Sequence, residues 1–186
     1  MTGSSTGRAV SDAPTERLRA LGAGAFVHLH GTLERHLQGT ERLLRRFGNR
    51  EAVCLAGLYH AVYGTDGIVG RLVEPAARNA IIAIIGGEAE GLVYLYGACD
   101  RDAFHPRIGT RLQHRFVDRL SRSQYPIRAL QLRDFCEITV ANEIELAMGN
   151  AVFRTRHADE LTRLFARMRG LVSEVGYATA REVLQS

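Results

Sequence analysis

Two histidines, His36 and His60, have the residue type and spacing to do chemistry in this chain. Each falls on the apolar stripe of a segment with helical period, where a solvated residue is out of place. Two imidazoles from adjacent helices that face one interior space can hold a metal ion or move protons, because imidazole titrates near neutrality and is a common metal ligand. The plainer alternative makes each a core histidine bonded to a backbone carbonyl. His30 precedes His36 at a helix entrance. It either adds a third nitrogen, giving a site of His30, His36 and His60 open to water or substrate, or stays at the rim. His28 is expected to point elsewhere.

Other polar groups gather around this pair in the sequence. Tyr63 follows His60 by about one turn and can donate a hydrogen bond to a substrate oxygen or shuttle a proton. Thr65 and Asp66 belong to the loop after it. There they either reach a substrate, with Asp66 supplying a carboxylate, or cap the turn. Arg101 ends a helix whose inward face is Leu92, Val93 and Leu95. Its planar donors fit a carboxylate or phosphate bidentately, or else form a surface ion pair. Asn142 lies one turn from Ile138 and is expected inward, where a buried amide needs partners and the two histidines offer them. Glu143 and Glu145 are expected to face water. Cys136 has no base near it in sequence and reads as packing.

These residues need helices to position them. Thr32 suits an N-cap. The helix after it repeats apolar groups at Leu33, Leu37, Leu44 and Phe47, and Gly48 stops it. Asn49 is expected to cap a second helix from Ala52 to Tyr63, apolar nearly all round and therefore buried. Gly57 permits a neighbour to approach closely. More helices are expected from Pro75 to Ile85, from Glu88 to Ala98, from Thr110 to Ser121 as a basic amphipathic element, from Ile127 to Met148, and from Ala158 to Val175. Leu161, Leu164, Phe165 and Met168 form a stripe that packs into its own core or, if exposed, makes a homodimer seam. Residues 1–13 are rich in Gly, Ser, Thr and Ala and are expected to be disordered. The remainder, 14–186, reads as one all-α domain of six to eight helices opened by a short helix at Pro14, with no strand ladder.

Composition narrows the function classes. The chain has 186 residues, 46% hydrophobic and 24% charged, enough for one domain with a substantial core. Its net charge of +4 comes from arginine alone. The arginines alternate with acidic residues except in two rows, Arg42, Arg45 and Arg46, and Arg111, Arg115, Arg119 and Arg122. Such rows are ordinarily solvated helix faces, so no nucleic-acid partner is expected. Cys54, Cys99 and Cys136 lie in apolar segments without a C-x-x-C pair and read as buried hydrophobes in a reducing compartment. No apolar run has the length of a membrane span, and the first residues lack the apolar core of a signal peptide. A cytoplasmic location without a membrane partner follows as the expectation.

His36-Leu37-Gln38-Gly39-Thr40 and Ala56-Gly57-Leu58-Tyr59-His60-Ala61-Val62-Tyr63-Gly64-Thr65 together resemble an HD-like group of the HD-domain superfamily. That superfamily's pattern is a histidine on one helix, an apolar helix ending in His-Asp, and a late aspartate on a long helix. The resemblance implies a helical bundle in which these four groups ligate metal. Here Ala61 stands where the aspartate follows the second histidine, and Asn142, or alternatively Asp134, matches the late aspartate. Loss of two negative charges and two hard oxygen ligands weakens a divalent metal site. The resemblance therefore implies a cofactor-free enzyme acting on a small polar or anionic metabolite by elimination, cyclisation or isomerisation. His36 and His60 would be acid and base, Tyr63 and Asn142 would orient the substrate, and Arg101, Thr65 and His30 would bind it. Two alternatives stay open. One is an iron, zinc or manganese hydrolase or oxygenase with His30, His36 and His60 as metal ligands. The other is a non-catalytic ligand-binding or dimerisation module.

Overall fold

The computed structural model describes residues 13–28, 31–66 and 70–186. Residues 1–12 of the expected disordered terminus and the side chains of His28 and His30 lie outside that description. Helix α1 (Ala13–Ala20) leads through a short antiparallel pair, β1 (Val27–His28) and β2 (Gly31–Thr32), to α2 (Leu33–Arg46). Thr32 caps α2 as its sequence suggests, its hydroxyl accepting from the Arg35 N–H. The period of α2 then buries Leu33, His36, Leu37, Thr40 and Leu44 on one side.

Helix α3 (Glu51–Tyr59) is shorter than its sequence implies, and His60 to Tyr63 continue in turns. Asn49 does not cap it. Arg50 is the N-cap residue, and the Asn49 amide instead donates to Glu137 Oε2 at 3.2 Å. The close approach expected at Gly57 is real: a Cβ there would come within 2.2 Å of Leu44 Cδ1. A 3-10 turn at Pro75–Ala77 opens α4 (Arg78–Ile85), followed by α5 (Gly87–Ala98) and the single turn α6 (Arg101–Phe104).

After the short β1–β2 pair, the chain departs from an all-helical fold again beyond α6. Residues Arg115–Asp118 and Ser123–Pro126 form an antiparallel hairpin, β3 and β4, with Phe116 opposite Tyr125. The regular spacing of Arg111, Arg115, Arg119 and Arg122 had predicted a helix there. Three local features override it. Phe116 and Asp118 are buried with period two while Arg115 is exposed. The Asp118 carboxylate accepts from the Leu120 and Ser121 N–H groups, which closes the turn. Arg122 completes the turn with φ +55°.

Helix α7 (Ala129–Gly149) is the axis of the fold and packs on α2, α3, α5, α8 and α9. Fourteen of its residues are buried, so it has no solvated face for most of its length. The last expected helix is two: α8 (Ala151–Met168) and α9 (Glu174–Gln185). Ser173 caps α9, and its own N–H donates to Glu137 Oε1 at 2.6 Å. Leu161, Leu164, Phe165 and Met168 are at most 6% exposed, so they belong to the chain's own core and offer no dimer seam. The fold is thus predominantly helical with two small hairpins, and among the described residues no helix is long and apolar enough to cross a membrane.

Candidate active site

Packing α2 on α3 brings the two histidines together. His36 and His60 are each 2% exposed, with ring centroids 5.3 Å apart and planes at 81°. The Tyr96 ring of α5 meets His60 edge-on at 5.1 Å, so His60 sits against two other rings. Its Nδ1 lies 2.7 Å from the Gly57 carbonyl oxygen. A carbonyl only accepts, so Nδ1 carries the proton and Nε2 carries the lone pair when the ring is neutral.

His36 is held differently. Its Nε2 is 3.0 Å from Asn142 Oδ1, and its Nδ1 meets Glu145 Oε2. The Asn142 amide is oriented by its other end, where Nδ2 donates to Glu143 Oε1 at 3.0 Å. Oδ1 therefore faces His36, and Nε2 must donate to it. Both nitrogens of His36 are engaged, and in neutral His60 it is Nε2 that carries the lone pair.

The network continues outward from Glu143. Its carboxylate pairs with Arg101 Nη1 at 3.5 Å, and Arg101 Nη2 donates to the Tyr96 hydroxyl at 3.2 Å. Burial pushes the Tyr96 phenol above its ordinary range, and the charge of Arg101 works against that shift. Asp66 accepts from the Arg101 backbone N–H at 3.0 Å and so fixes the start of α6. Arg101, Glu143, His105, His157 and Arg167 line a cavity of about 370 Å³ bounded on its apolar side by α8. Burial, reinforced by Arg101 and Arg167, pushes His105 down to about 4.

The two glutamates expected in water are thus part of the site. Glu143 is 8% exposed, and Glu145 crosses α2 to reach His36. The crossing point is Gly39: a Cβ there would fall 2.6 Å from Glu145 Cγ and 2.6 Å from its Oε1. The motif His36-Leu37-Gln38-Gly39-Thr40 thereby acquires a physical meaning. Leu37 fills the core, Gly39 leaves the channel for Glu145, and the Thr40 hydroxyl donates to the His36 carbonyl at 3.2 Å. In the second motif Gly64 takes φ +75° and passes the Gly70 carbonyl, where a Cβ would be 2.8 Å from the oxygen.

Other expected site residues go elsewhere. Tyr63 turns away from the histidines and donates to Glu90 Oε1 at 2.9 Å, in a buried group with Arg78, whose guanidinium grips both Glu90 oxygens at 2.7 Å. Thr65 is 4% exposed and borders a small crevice with Phe26, Ala61 and Leu72, which Arg101 does not line. Asp134 is bonded by Arg50 at 2.5 and 2.7 Å, so of the two residues weighed for the late aspartate Asn142 is the one on His36. Burial raises the Cys54 thiol to about 11 and raises Cys99 and Cys136 as well, so none is a nucleophile near neutrality. Tyr96 and Glu145 escaped the sequence reading. For Glu145 the signal was its position three residues after Asn142, one turn along the same side of α7. Tyr96 had none.

Residues 17–101 match a family described as a domain of unknown function, DUF6817. The match spans both histidine motifs and ends at Arg101, so Asn142, Glu143 and Glu145 lie beyond it. No curated protein and no solved structure matches the chain.

Proposed function

We propose that this chain is a cytoplasmic, HD-like enzyme that acts on a small anionic metabolite by histidine acid–base chemistry, of the elimination, cyclisation or isomerisation type. The observation that carries the reading is the Nδ1–H tautomer of His60, set by the Gly57 carbonyl 2.7 Å away, which makes Nε2 a proton acceptor inside a polar cluster. His60 is the base. Tyr96, whose ring meets His60 edge-on and whose hydroxyl accepts from Arg101, takes the role the sequence assigned to Tyr63. Arg101 receives the anionic group from the adjoining cavity, where its planar donors suit a carboxylate or phosphate. His36, Asn142 and Glu145 are positioning residues: their mutual hydrogen bonds lock the His36 ring on which His60 packs.

The rival reading places iron, zinc or manganese on His30, His36 and His60. His30 lies outside the described residues, so the fit of this set rests on His36 and His60. His36 does not fit as a ligand in its present bonds, because its Nε2 donates to Asn142 and its Nδ1 is on Glu145. No step is therefore routed through a metal.

The test is a turnover screen of small phosphorylated and carboxylated metabolites, followed by NMR, with His60→Gln and Arg101→Leu as variants. The expected result is a consumed compound whose turnover falls at least 100-fold in His60→Gln, while Arg101→Leu chiefly raises KM and both variants keep a cooperative melt. Nitrogen-15 spectra of the wild type should show the Nδ1–H tautomer at His60. Undiminished turnover in His60→Gln overturns the proposal. So does stoichiometric iron, zinc or manganese that is lost on the same substitution.

A further inference from the structure

The arginine row of α2 is divided by the structure. Arg45 is consumed by two carboxylates, Glu41 at 2.8 Å and Glu51 at 2.6 Å. Arg35, Arg42 and Arg46 are exposed, and among the described residues no carboxylate forms an ion pair with any of them. These three line a second cleft, of about 360 Å³, between α2 and the C-terminal end of α7, together with Glu145 and Met148. The spacing explains the convergence: positions 35, 42 and 46 repeat on one helix face at seven and four residues, the face that also carries Gly39.

The charge of this cleft decides what fits it. Three guanidiniums face one carboxylate, Glu145, which is already engaged by His36. The end of α7 contributes roughly half a negative charge. The lining keeps an excess of roughly 1.5 positive charges, close to the charge of a phosphate monoester at neutral pH. Guanidinium pairs also match phosphate oxygens geometrically. Met148 is 56% exposed and gives the cleft an apolar wall against which the organic part of a ligand can lie. The volume is at the lower end of small-molecule sites, which suits a monophosphate better than a dinucleotide.

We propose that the cleft formed by Arg35, Arg42, Arg46 and Met148 is a binding site for a small phosphate monoester, separate from the Arg101 cavity. The site does not depend on the reaction assigned to His60. Glu145 forms its wall and also holds His36, so an occupant stands one side chain from the histidine cluster.

The experiment is calorimetric titration of glycerol 3-phosphate at constant ionic strength, with glycerol and sodium chloride as controls. The wild type should show saturable one-to-one binding. Arg42→Ala and Arg46→Ala should each weaken it at least tenfold. Arg163→Ala removes the same charge from an exposed position on α8 and should leave it within twofold. Melting temperatures of all three variants report that the fold is kept. Equal weakening by Arg163→Ala would reduce the effect to net charge and overturn the site. Absence of saturable binding overturns it too. So does binding that survives Arg42→Ala but vanishes in Arg101→Leu, which would place the anion in the other cavity.

Discussion

Alanine at position 39 should destabilise this protein, although alanine normally strengthens a helix. Exchanging a mid-helix glycine for alanine gains about 1 kcal/mol from reduced backbone entropy. Here the added Cβ would fall 2.6 Å from Glu145 Cγ and Oε1 and 2.9 Å from Cδ, all atoms of a flexible side chain. Glu145 can therefore swing aside, and the cost is its bond to His36. A hydrogen bond to a charged group contributes about 1.5–3 kcal/mol, and His36 Nδ1 is left without this partner in a ring 2% exposed. The loss outweighs the gain, and Gly39→Ala should cost about 1 kcal/mol, or roughly 2–4 °C in Tm for a domain of this size. The decisive assay is a double-mutant cycle by urea denaturation. With Glu145→Ala as background the obstruction is absent, and Gly39→Ala should become stabilising by about 0.5–1 kcal/mol. The sign inverts only if Glu145 crosses at Gly39. The same sign in both backgrounds would refute the channel and with it the placement of Glu145 on His36.

Two more consequences follow from the site. Tyr63→Phe should cost about 1 kcal/mol in urea denaturation, because Glu90 loses one donor and keeps both bonds from Arg78. Turnover of any substrate found for the wild type should stay within twofold, and a large loss of kcat would return Tyr63 to the reaction. His105 makes stability depend on pH. Its folded form resists protonation down to about 4, whereas the unfolded chain takes the proton near about 6.5. The unfolded state then binds more protons in that window, so stability is full above about 6.5 and declines as pH falls towards 4. The gap sets a ceiling of about 3 kcal/mol, and the partly exposed ring brings the expected loss to about 1–2 kcal/mol. His105→Gln should flatten the unfolding free energy between pH 4 and 6.5; an unchanged slope would remove His105 as its source.

What was legible in the sequence is local. Thr32 caps α2 because a hydroxyl before an apolar-periodic run satisfies an orphan N–H, and that is settled within four residues. The apolar period put His36 and His60 inside, and the small residue at Gly57 marked where α2 and α3 touch. The failure at residues 110–121 is the same logic misapplied. Arginines at helical spacing were read as a solvated helix face, but Asp118 and Arg122 build a turn that no periodicity reveals.

The sequence by itself determined a mostly helical chain with two inward histidines, because helix period, caps and stops are properties of neighbours along the backbone. Tertiary structure alone decided which partners those histidines receive. Helix α7 is enclosed by α2, α3, α5, α8 and α9, so its glutamates have no solvated face and must find donors on other helices. Glu145 therefore crosses Gly39, Asn142 orients His36, and Tyr96 takes the place beside His60 while Tyr63 goes to Glu90. These choices depend on distances between segments 27 to 109 residues apart in sequence, fixed by close packing and by the cost of leaving a buried polar group unpaired.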